Sequence, residues 1–452
     1  MKNLNVLVVG AGIGGLQTAL ALAKDGHNVT IFESVKQFME VGAGIRVPPN
    51  SSRLGLSWGV DFDSIKKEIS MGNLFADYRD KTLVEIPFHD VQRRYGAPYY
   101  FVHRADFIDA LVQALDKYPD KIKLRMNTKV VEYDFDEPAL KTADDVWYHG
   151  DLIICADGIK SAVRNEINGT RIDPVDTGDV AYRILVPAKP LLEDPLTSHL
   201  VNNPWAVHWM GPEGHAVGYP LRGGELYNII IDITHSTDLG VPVGEDEWKS
   251  QADNTELVKR FEDWCYPVRK LCGLTGQYLK WKLADFDQLD RWVHPSGKVA
   301  LLGDSSHPMM PYLAQGAAQA TEDAATLQAA LSHHQDVPGA LRAYEKQRKP
   351  RAAYIAKNTR VIQEWLHLYD GPERDRRDEL MKHDNPQNPI FWADTNRKDW
   401  LFGHDARKLL DDDGGDDAAS KIPDLPPYPA REASVYLNND NGNKSHANAR
   451  LN

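Results

Sequence analysis

The hydrophobic pattern at the start of the chain predicts a β-α-β unit. Residues 6–9 form a short, continuous apolar run that ends at glycines, as in strands buried on both faces of a parallel sheet. Over residues 14–24 the apolar positions recur at helical spacing, and Asp25 and Gly26 interrupt this pattern before a second apolar run at 29–32. We therefore expect a strand, a helix and a second strand at the beginning of the fold.

Elements of the same two types are expected further along the chain. Strands are indicated at residues 122–126, 130–133, 152–156 and 299–302. Helices are indicated at residues 106–115, 317–331 and 341–366. We expect a bend in the last helix at Pro350, because proline removes a backbone donor and collides with the preceding turn.

Between residues 175 and 290 the pattern changes to short alternating runs, separated by glycine and proline clusters. The runs occupy residues 180–186, 206–210, 216–221 and 227–231. Such runs favour a mostly antiparallel sheet in a second domain. The chain as a whole is therefore expected to have an α/β fold.

Length and composition limit the classes of protein to which the chain can belong. At roughly 150 residues per domain, 452 residues suggest two or three units. Hydrophobic residues make up 42% of the chain and charged residues 26%, which argues against wholesale disorder. With 52 Lys and Arg against 65 Asp and Glu, the net charge of −13 argues against a nucleic-acid partner.

Other features predict a cytoplasmic protein. No apolar run approaches the roughly 20 residues that a membrane-spanning helix needs, and the N-terminus lacks the pattern of a secretory signal. The three cysteines, Cys155, Cys265 and Cys272, are too few for a disulfide framework or a four-cysteine zinc site, and we expect no metal site. Either a monomer or a homodimer is compatible with the sequence.

The glycines after the first predicted strand form the motif G-x-G-x-x-G through Gly10, Gly12 and Gly15. One glycine makes the tight turn, the second lets the backbone approach a pyrophosphate, and the third lets helix and strand pack closely. Glu33 ends the second strand, where an acid can accept hydrogen bonds from ribose hydroxyls. The sequence therefore predicts a dinucleotide site, and the alternative is a glycine-rich turn that binds nothing.

Two later segments indicate which dinucleotide is bound. Asp-Leu-Ile-Ile-Cys-Ala-Asp-Gly at 151–158 follows one predicted strand, and Leu-Gly-Asp-Ser-Ser-His-Pro at 302–308 follows another. Together with the first motif, they resemble the flavin-dependent aromatic hydroxylases that use one FAD and a single polypeptide. Within that family the chain is similar to the fungal salicylate hydroxylase-like branch, from the first strand to about residue 365.

The resemblance implies four parts for the fold. They are a Rossmann-type FAD-binding domain at 1–72, 99–174 and 290–335, a mostly antiparallel β-sheet substrate-binding domain at 73–98 and 175–289, a C-terminal helical region at 336–410, and a flexible acidic and polar tail at 411–452. The tail is expected because its composition buries too little apolar surface to offset the entropy of ordering.

The resemblance also implies roles for residues at the cofactor. Asp157 and Gly158 would lie near the pyrophosphates of FAD and help to admit NADH or NADPH. Asp304 would hold the ribitol chain on the flavin side, although an aspartate also suits a helix N-cap. Gly316 and Ala317 would open a helix whose N-terminus faces the pyrimidine edge of the flavin, where backbone donors stabilise negative charge.

Two arginines match family segments beside the cofactor. Gly44 and Arg46, in Gly-Ala-Gly-Ile-Arg at 42–46, resemble the loop beside the flavin. Arg104, in His-Arg-Ala-Asp at 103–106, resembles the segment whose arginine reaches the phosphates or the adenosine side of FAD. The alternative for either arginine is a surface ion pair of small energetic value.

The catalytic candidates come from the second domain. Arg183 matches a family position at which arginine holds the oxyanion of a phenol-like substrate, and Tyr219 matches an aromatic hydroxyl on the neighbouring strand. A guanidinium that stabilises phenolate keeps the ring electron-rich. Alternatively, Arg183 pairs with an acid such as Asp179, and Tyr219 only packs in the sheet. His208 and His215 are candidate proton shuttles or structural histidines.

The resemblance implies a FAD-dependent monooxygenase that hydroxylates a small phenolic, salicylate-like or indole-type molecule, as in secondary metabolism. NADH or NADPH would reduce the flavin, and dioxygen would then form the C4a-hydroperoxyflavin that transfers one oxygen atom to the ring. The alternatives are a FAD-dependent reductase that does not insert oxygen and a non-enzymatic flavin-binding module.

Overall fold

The computed structural model describes residues 1, 3–38, 43–234, 240–244, 248–409, 422 and 424–427. Its strands are, in chain order, β1 (Asn5–Val9), β2 (Asn28–Phe32), β3 (Gly44–Val47), β4 (Lys67–Ile69), β5 (Gly72–Asp77), β6 (Thr82–Pro87), β7 (Tyr100–His103), β8 (Ile122–Arg125), β9 (Val130–Asp134), β10 (Ala139–Thr142), β11 (Trp147–His149), β12 (Leu152–Cys155), β13 (Val175–Pro187), β14 (Trp205–Gly211), β15 (Gly214–Leu221), β16 (Leu226–Thr234), β17 (Lys249–Asp253), β18 (Gln277–Asp285) and β19 (Val299–Leu301).

The helices vary from one turn to about eight turns in length. They are, in chain order, α1 (Ile13–Lys24), α2 (Pro49–Ser57), α3 (Val91–Tyr95), α4 (Arg104–Leu115), α5 (Val163–Asn168), α6 (Lys189–Leu192), α7 (Ser198–Asn202), α8 (Thr255–Arg260), α9 (Tyr266–Gly273), α10 (Gly316–His333), α11 (Val337–Leu366), α12 (Pro372–Leu380) and α13 (Thr395–Gly403). In the part of the chain just defined, none of them is long and apolar enough to cross a membrane.

The apolar runs of the sequence form a five-stranded parallel sheet. Its strand order is β19-β12-β1-β2-β8, and each neighbouring pair is parallel. Helices α1 and α10 pack on each other, and their apolar residues join those of the sheet in one core. Because all five strands run in the same direction, their carboxyl ends meet along one edge of the sheet.

The alternating runs form an eight-stranded sheet with the order β17-β18-β13-β16-β15-β14-β5-β6. All of its neighbouring pairs are antiparallel except β14 and β5, which are parallel. The outer face shares a core with α8 and α9, and the inner face shares another with α11 and the C-terminal region. The predicted α/β class, with parallel and mostly antiparallel sheets, is therefore confirmed.

Two smaller sheets complete the fold. Strands β3, β7 and β4 form one in the order β3-β7-β4, and strands β9 to β11 form the other in the order β11-β10-β9. The first of these carries Arg46 on β3 and ends, on β7, directly before Arg104. It thus connects the glycine-rich end of the parallel sheet with the inner face of the eight-stranded sheet.

Helix α11 begins earlier than the hydrophobic pattern predicts. Asp336 precedes its first turn, and the side-chain oxygen Oδ1 accepts a hydrogen bond of 2.6 Å from the backbone N–H of Gly339. The added first turn therefore depends on a cap rather than on apolar periodicity. The helix is continuous through Pro350, which lies on its exposed side.

A short segment of the predicted tail packs against α11. Leu425 is buried, and its backbone N–H donates to Oδ1 of Asn358 at 2.8 Å. The carbonyl of Pro426 accepts a hydrogen bond from Nε1 of Trp365 at 2.9 Å. Apart from residues 422 and 424–427, the predicted tail at 411–452 lies outside the described residues.

Candidate active site

A cavity of about 930 Å³ lies between the carboxyl edge of the parallel sheet and the inner face of the eight-stranded sheet. This volume is at the upper end of the range of ligand pockets, which is about 300–1,000 Å³. With the exception of Gly15, every predicted site residue lines it, namely Gly10, Gly12, Glu33, Gly44, Arg46, Arg104, Asp157, Gly158, Arg183, Tyr219, Asp304, Gly316 and Ala317. Residues predicted from separate motifs thus surround one space.

The glycine-rich turn at one end of the cavity depends on glycine for two reasons. Gly10 has φ +98°, and a Cβ on Gly15 would lie 2.0 Å from the carbonyl oxygen of Gly10. A Cβ on Gly12 would instead meet no protein atom within 4 Å. Gly12 also precedes α1 without a side-chain cap, so the first backbone N–H groups of α1 are open to an anion.

Glu33 lies at the end of β2 beside this turn. Its Oε2 accepts a hydrogen bond of 2.8 Å from the backbone N–H of Ala11, and its Oε1 accepts one of 3.0 Å from that of Val35. The carboxylate therefore holds the turn in place as well as lining the cavity. The sequence motif indicates the carboxylate but not this supporting role.

Asp304 and Arg104 line the cavity from two different elements of the fold. Asp304 is inside a short 3-10 helix, Gly303–Ser305, and Leu302 occupies the N-cap position instead. Both side chains are accessible from the cavity, but the protein around them raises the pKa of Asp304 and lowers the pKa of Arg104. Arg104 is the first residue of α4, and the charge of Asp304 favours its charged form.

The N-terminus of α10 faces the same space. Gly316 and Ala317 line the cavity, and the preceding residue, Gln315, caps the helix without a side-chain hydrogen bond to it. Nε2 of Gln315 is buried and has no partner among the described residues. This end of the cavity therefore offers uncapped backbone donors to a group that carries negative charge.

Arg183 lies on the inner face of the eight-stranded sheet, on β13. Its guanidinium packs on the ring of Trp281 at 4.9 Å, and its Nε has no partner among the described residues. Burial lowers its pKa, whereas the charge of Asp232 raises it. Asp179, the predicted alternative partner, accepts hydrogen bonds from Tyr312 at 2.5 Å and from other side chains. The guanidinium is thus directed to the cavity.

Tyr219 lies two strands away from Arg183, on β15. It is buried, its ring centroid is 4.7 Å from that of Phe101, and it contacts the backbone at Gly44. Burial raises the pKa of its hydroxyl, so the side chain is neutral at physiological pH. Tyr219 therefore both packs in the core and presents a phenol to the cavity.

Arg46 is buried and is not the surface ion pair of the alternative interpretation. Its Nη1 donates to Oδ1 of Asn73 at 3.3 Å and lies 3.5 Å from Nε2 of His208. Its guanidinium is also 5.6 Å from the ring centroid of Trp392. Burial and the charge of Arg46 both lower the pKa of His208, which is therefore a neutral hydrogen-bonding partner at this site.

The sequence does not identify Asp232, an acid on β16 that lines the cavity. It is buried, and its Oδ1 has no partner among the described residues. Burial raises its pKa to about 8, to which Asp179 contributes and which Arg183 opposes. Strand alternation places Asp232 on one face of β16, but no motif distinguishes it from any other acidic strand residue.

Sequence and structure comparisons place the chain among flavoproteins. A sequence model of the FAD binding domain family matches residues 3–359. The FAD-dependent monooxygenase OpS4 of Beauveria bassiana is 33% identical over 423 residues, which cover 90% of this chain and 96% of that protein. The 3-hydroxybenzoate 6-hydroxylase 1 of Aquipseudomonas alcaligenes is 31% identical over 407 residues, which cover 88% of this chain and 97% of that one.

A solved structure supports the same assignment. The substrate complex of salicylate hydroxylase has a TM-score of 0.72 and 26% sequence identity, and the match covers 90% of this chain and 96% of that one. The chain belongs to the FAD binding domain family, and within it to the FAD-dependent monooxygenases that include aromatic hydroxylases. The predicted resemblance is confirmed.

The residues present fit FAD. The open position at Gly12, where a Cβ would meet nothing, leaves room for a pyrophosphate at the start of α1. Arg104 and Asp304 offer a cation and an acceptor along the cavity, and the start of α10 offers backbone donors at its far end. One long cavity thus provides suitable groups for both halves of a dinucleotide.

Proposed function

We propose that the protein is a FAD-dependent monooxygenase that uses NADH or NADPH and dioxygen to hydroxylate a small phenol-like aromatic molecule. The observation that carries the proposal is the position of Arg183 and Tyr219. Both line the same cavity as the glycine-rich turn, although they belong to a different sheet. A substrate held by these two side chains would lie within the space that the cofactor shares.

Within this proposal, the protein binds and activates the aromatic ring. The guanidinium of Arg183 pairs with the phenolate oxygen, which favours ionisation and makes the ring electron-rich. Tyr219, which keeps its proton, donates a hydrogen bond to the substrate and orients it. When bound, the flavin supplies the activation of dioxygen.

The remaining residues have binding roles in the same proposal. Gly10, Gly12 and Glu33 would hold the adenosine and pyrophosphate half of FAD, together with Arg104. Asp304 would hold the ribitol chain, and the first turn of α10, at Gly316 and Ala317, would stabilise negative charge on the reduced flavin. Asp157 and Gly158 would lie near the pyrophosphates and help to admit the nicotinamide. Gly44 and Arg46 would form the loop beside the flavin.

The test is oxidation of NADH and NADPH by the FAD-loaded protein in the presence of salicylates, other phenols and indoles. We expect at least one compound to accelerate the oxidation and to gain one oxygen atom, as detected by mass spectrometry. If FAD is bound but no compound in the panel is oxygenated, the reductase alternative is favoured. If no NADH or NADPH is consumed with any compound, the non-enzymatic flavin-binding module is favoured.

A pair of variants tests the role of Arg183. Arg183→Met should lower kcat/KM for the aromatic substrate by roughly 100-fold, as for the loss of one oxyanion donor, while the FAD content stays unchanged. Arg269, an exposed arginine on α9, provides the matched control, and Arg269→Met should behave as wild type. Equal effects of the two substitutions would contradict the proposed role.

A further inference from the structure

One acid lines the cavity from the eight-stranded sheet. The cavity-lining acids among the described residues are Glu33, Asp157, Asp232 and Asp304. Three of them come after strands of the parallel sheet, on the side of the glycine-rich turn, whereas Asp232 lies within β16. Asp232 is therefore the acid on the side of the cavity where Arg183 lies.

The register of the strands makes Asp232 and Arg183 neighbours. In the antiparallel pairing of β13 with β16, Ala181 lies opposite Asp232 and Arg183 lies opposite Ile230. Since residues two apart on a strand face the same side, Arg183 and Asp232 are diagonal neighbours on the inner face. Even so, Nε of Arg183 and Oδ1 of Asp232 both lack a partner among the described residues. A ligand in the cavity thus meets a free donor beside a free carboxyl oxygen.

The contacts of Asp232 within the protein do not satisfy its carboxyl group. The residue is 2% exposed, and its Oδ2 lies 3.5 Å from Nε2 of His215. That separation exceeds the roughly 2.7–3.2 Å of an N–H···O hydrogen bond. A buried oxygen without a partner lowers the stability of the fold. Because Asp232 lines the cavity, a ligand there can supply the missing hydrogen bond.

The groups around Asp232 determine which ligand atom suits it. Arg183 and the protonated hydroxyl of Tyr219 are donors, and they suit an acceptor such as a phenolic oxygen. The hydroxyl of Tyr312 already donates to Oδ2 of Asp179 at 2.5 Å. Whether charged or neutral, the carboxyl of Asp232 has an oxygen that can accept a hydrogen bond. The matching group on a ligand is therefore an O–H or N–H donor.

We propose that Asp232 accepts a hydrogen bond from a second polar substituent of the substrate, a hydroxyl or amino group close to the phenolic oxygen on the same ring. The inference rests on the proposed function, because Arg183 must hold the phenolic oxygen. Asp232 is then a specificity-determining residue. A phenol without the second donor binds more weakly, since it leaves the buried oxygen of Asp232 unpaired and excludes the water that could replace the donor.

Apolar neighbours on the same face make this discrimination stronger. Ile230, two residues before Asp232, lines the cavity, and so does Val217, its neighbour on β15. Neither side chain can form a hydrogen bond with a substituent of the ring. A hydroxyl or amino group that reaches this part of the cavity therefore depends on Asp232 for an acceptor.

The test measures binding and requires no turnover. The oxidised, FAD-loaded protein is titrated calorimetrically under nitrogen, without nicotinamide, with phenols that carry a hydroxyl, amino or methyl group. The compounds are catechol, 2-aminophenol and 2-methylphenol, and resorcinol, 3-aminophenol and 3-methylphenol. Methyl is similar in size to the other two groups but donates no hydrogen bond. We expect at least one hydroxyl or amino compound to bind about tenfold or more tightly than its methyl counterpart, and the compound that does so identifies the donor and its ring position.

Three variants assign the preference to Asp232. Asp232→Val removes the acceptor, so the donor-bearing and methyl compounds should bind with equal affinity. Asp232→Asn keeps an acceptor oxygen and should retain the preference. Ile230→Ala is the matched control, because it changes the shape of the same face but not its polarity, and it should leave the ratio of affinities unchanged. A purely structural role of Asp232 predicts that Asp232→Val weakens all the compounds equally.

Two results would overturn the inference and leave the proposed function standing. One is equal affinity of the wild-type protein for methyl and donor-bearing phenols, a comparison that needs no variant. The other is an unchanged preference in Asp232→Val. If the wild-type protein binds none of the phenols, the phenol-binding cavity of the proposed function is contradicted, and the inference fails with it.

Discussion

At the scale of single residues, a methyl group has opposite effects at two positions of the glycine-rich turn. On Gly15 it would lie 2.0 Å from the carbonyl oxygen of Gly10, whereas on Gly12 it would project into the cavity. We expect Gly15→Ala to lower the free energy of unfolding by about 1–3 kcal/mol, because backbone atoms must move apart. Gly12→Ala should retain stability but bind FAD more weakly.

Urea unfolding of the FAD-free proteins and titration with FAD check the two outcomes separately. The backbone of Gly12, with φ −69°, is accessible to alanine, so any loss of FAD affinity in this variant comes from the space that the methyl group takes. Normal FAD affinity in Gly12→Ala would contradict the role of the glycine-rich turn in binding FAD.

Asp232 makes the stability of the protein depend on pH. Its pKa is about 8 in the folded protein and about 3.9 in an unfolded chain, so the folded state keeps a proton that the unfolded state loses between these values. The free energy of unfolding should therefore fall as the pH rises through this window. We expect Asp232→Asn not to show this decrease. By pH 8 its free energy of unfolding should exceed that of the wild type by on the order of a few kcal/mol, relative to their difference at low pH.

Urea unfolding at a series of pH values measures this effect. The exposed Asp263 provides a control, and Asp263→Asn should follow the wild-type curve. Parallel curves for wild type and Asp232→Asn would show that the carboxyl of Asp232 is not protonated in the folded state.

At the scale of helices and strands, a buried ion network joins α10 and α11 to the segment Gly303–Ser305. Arg348 of α11 donates to Glu322 at 2.7 Å and to Asp323 at 2.8 Å, and all three side chains are fully buried. Asp323 also accepts a hydrogen bond of 2.9 Å from the backbone N–H of Gly303. The network therefore fixes the position of the loop that carries Asp304.

Removing the cation of this network should be costly. Arg348→Met removes the cation that two buried carboxylates share, and leaves Glu322 paired with Arg351 and Asp323 paired with His307. We expect a loss of about 3 kcal/mol in the free energy of unfolding, together with weaker FAD binding. Lys346→Met, on an exposed position of the same helix, should change neither quantity. Chemical unfolding and FAD titration of both variants measure the two quantities. Wild-type stability and FAD affinity in Arg348→Met would contradict a supporting role of the network.

Local patterns in the sequence predict elements but not all of their neighbours. The β-α-β unit at the start of the chain is visible because its apolar spacing changes from strand to helix and back within a few residues. The parallel pairing of β14 with β5 joins distant parts of the chain, and no local pattern indicates it. The local pattern likewise misses helix start positions that depend on a capping side chain, such as Asp336 before α11.

The same limit applies to the candidate site. The glycine motif and the segments around Asp157 and Asp304 are recognisable because each is continuous in the sequence. Asp232 has no such motif, since its position at the cavity depends on strand register. The glycine-rich end of the cavity was therefore predictable, whereas its acidic side at Asp232 required the structure.

At the scale of the whole molecule, the distribution of charge matches the proposed ligands. The chain carries a net charge of −13, yet Arg46, Arg104 and Arg183 all line the cavity of about 930 Å³. A dinucleotide and a phenolate are both anionic, and positive side chains in a partly enclosed site attract such groups. The shared cavity is thus suited to hold both ligands together.

The origin of the oxygen atom in the product tests the central claim most directly. The FAD-loaded protein would be incubated with NADH or NADPH, isotopically labelled dioxygen and the aromatic compound that most accelerates nicotinamide oxidation. We expect mass spectrometry to find one labelled oxygen atom in the aromatic product, and none when the label is in water instead. An unlabelled product, or conversion of all dioxygen to hydrogen peroxide with every aromatic compound, would contradict a monooxygenase.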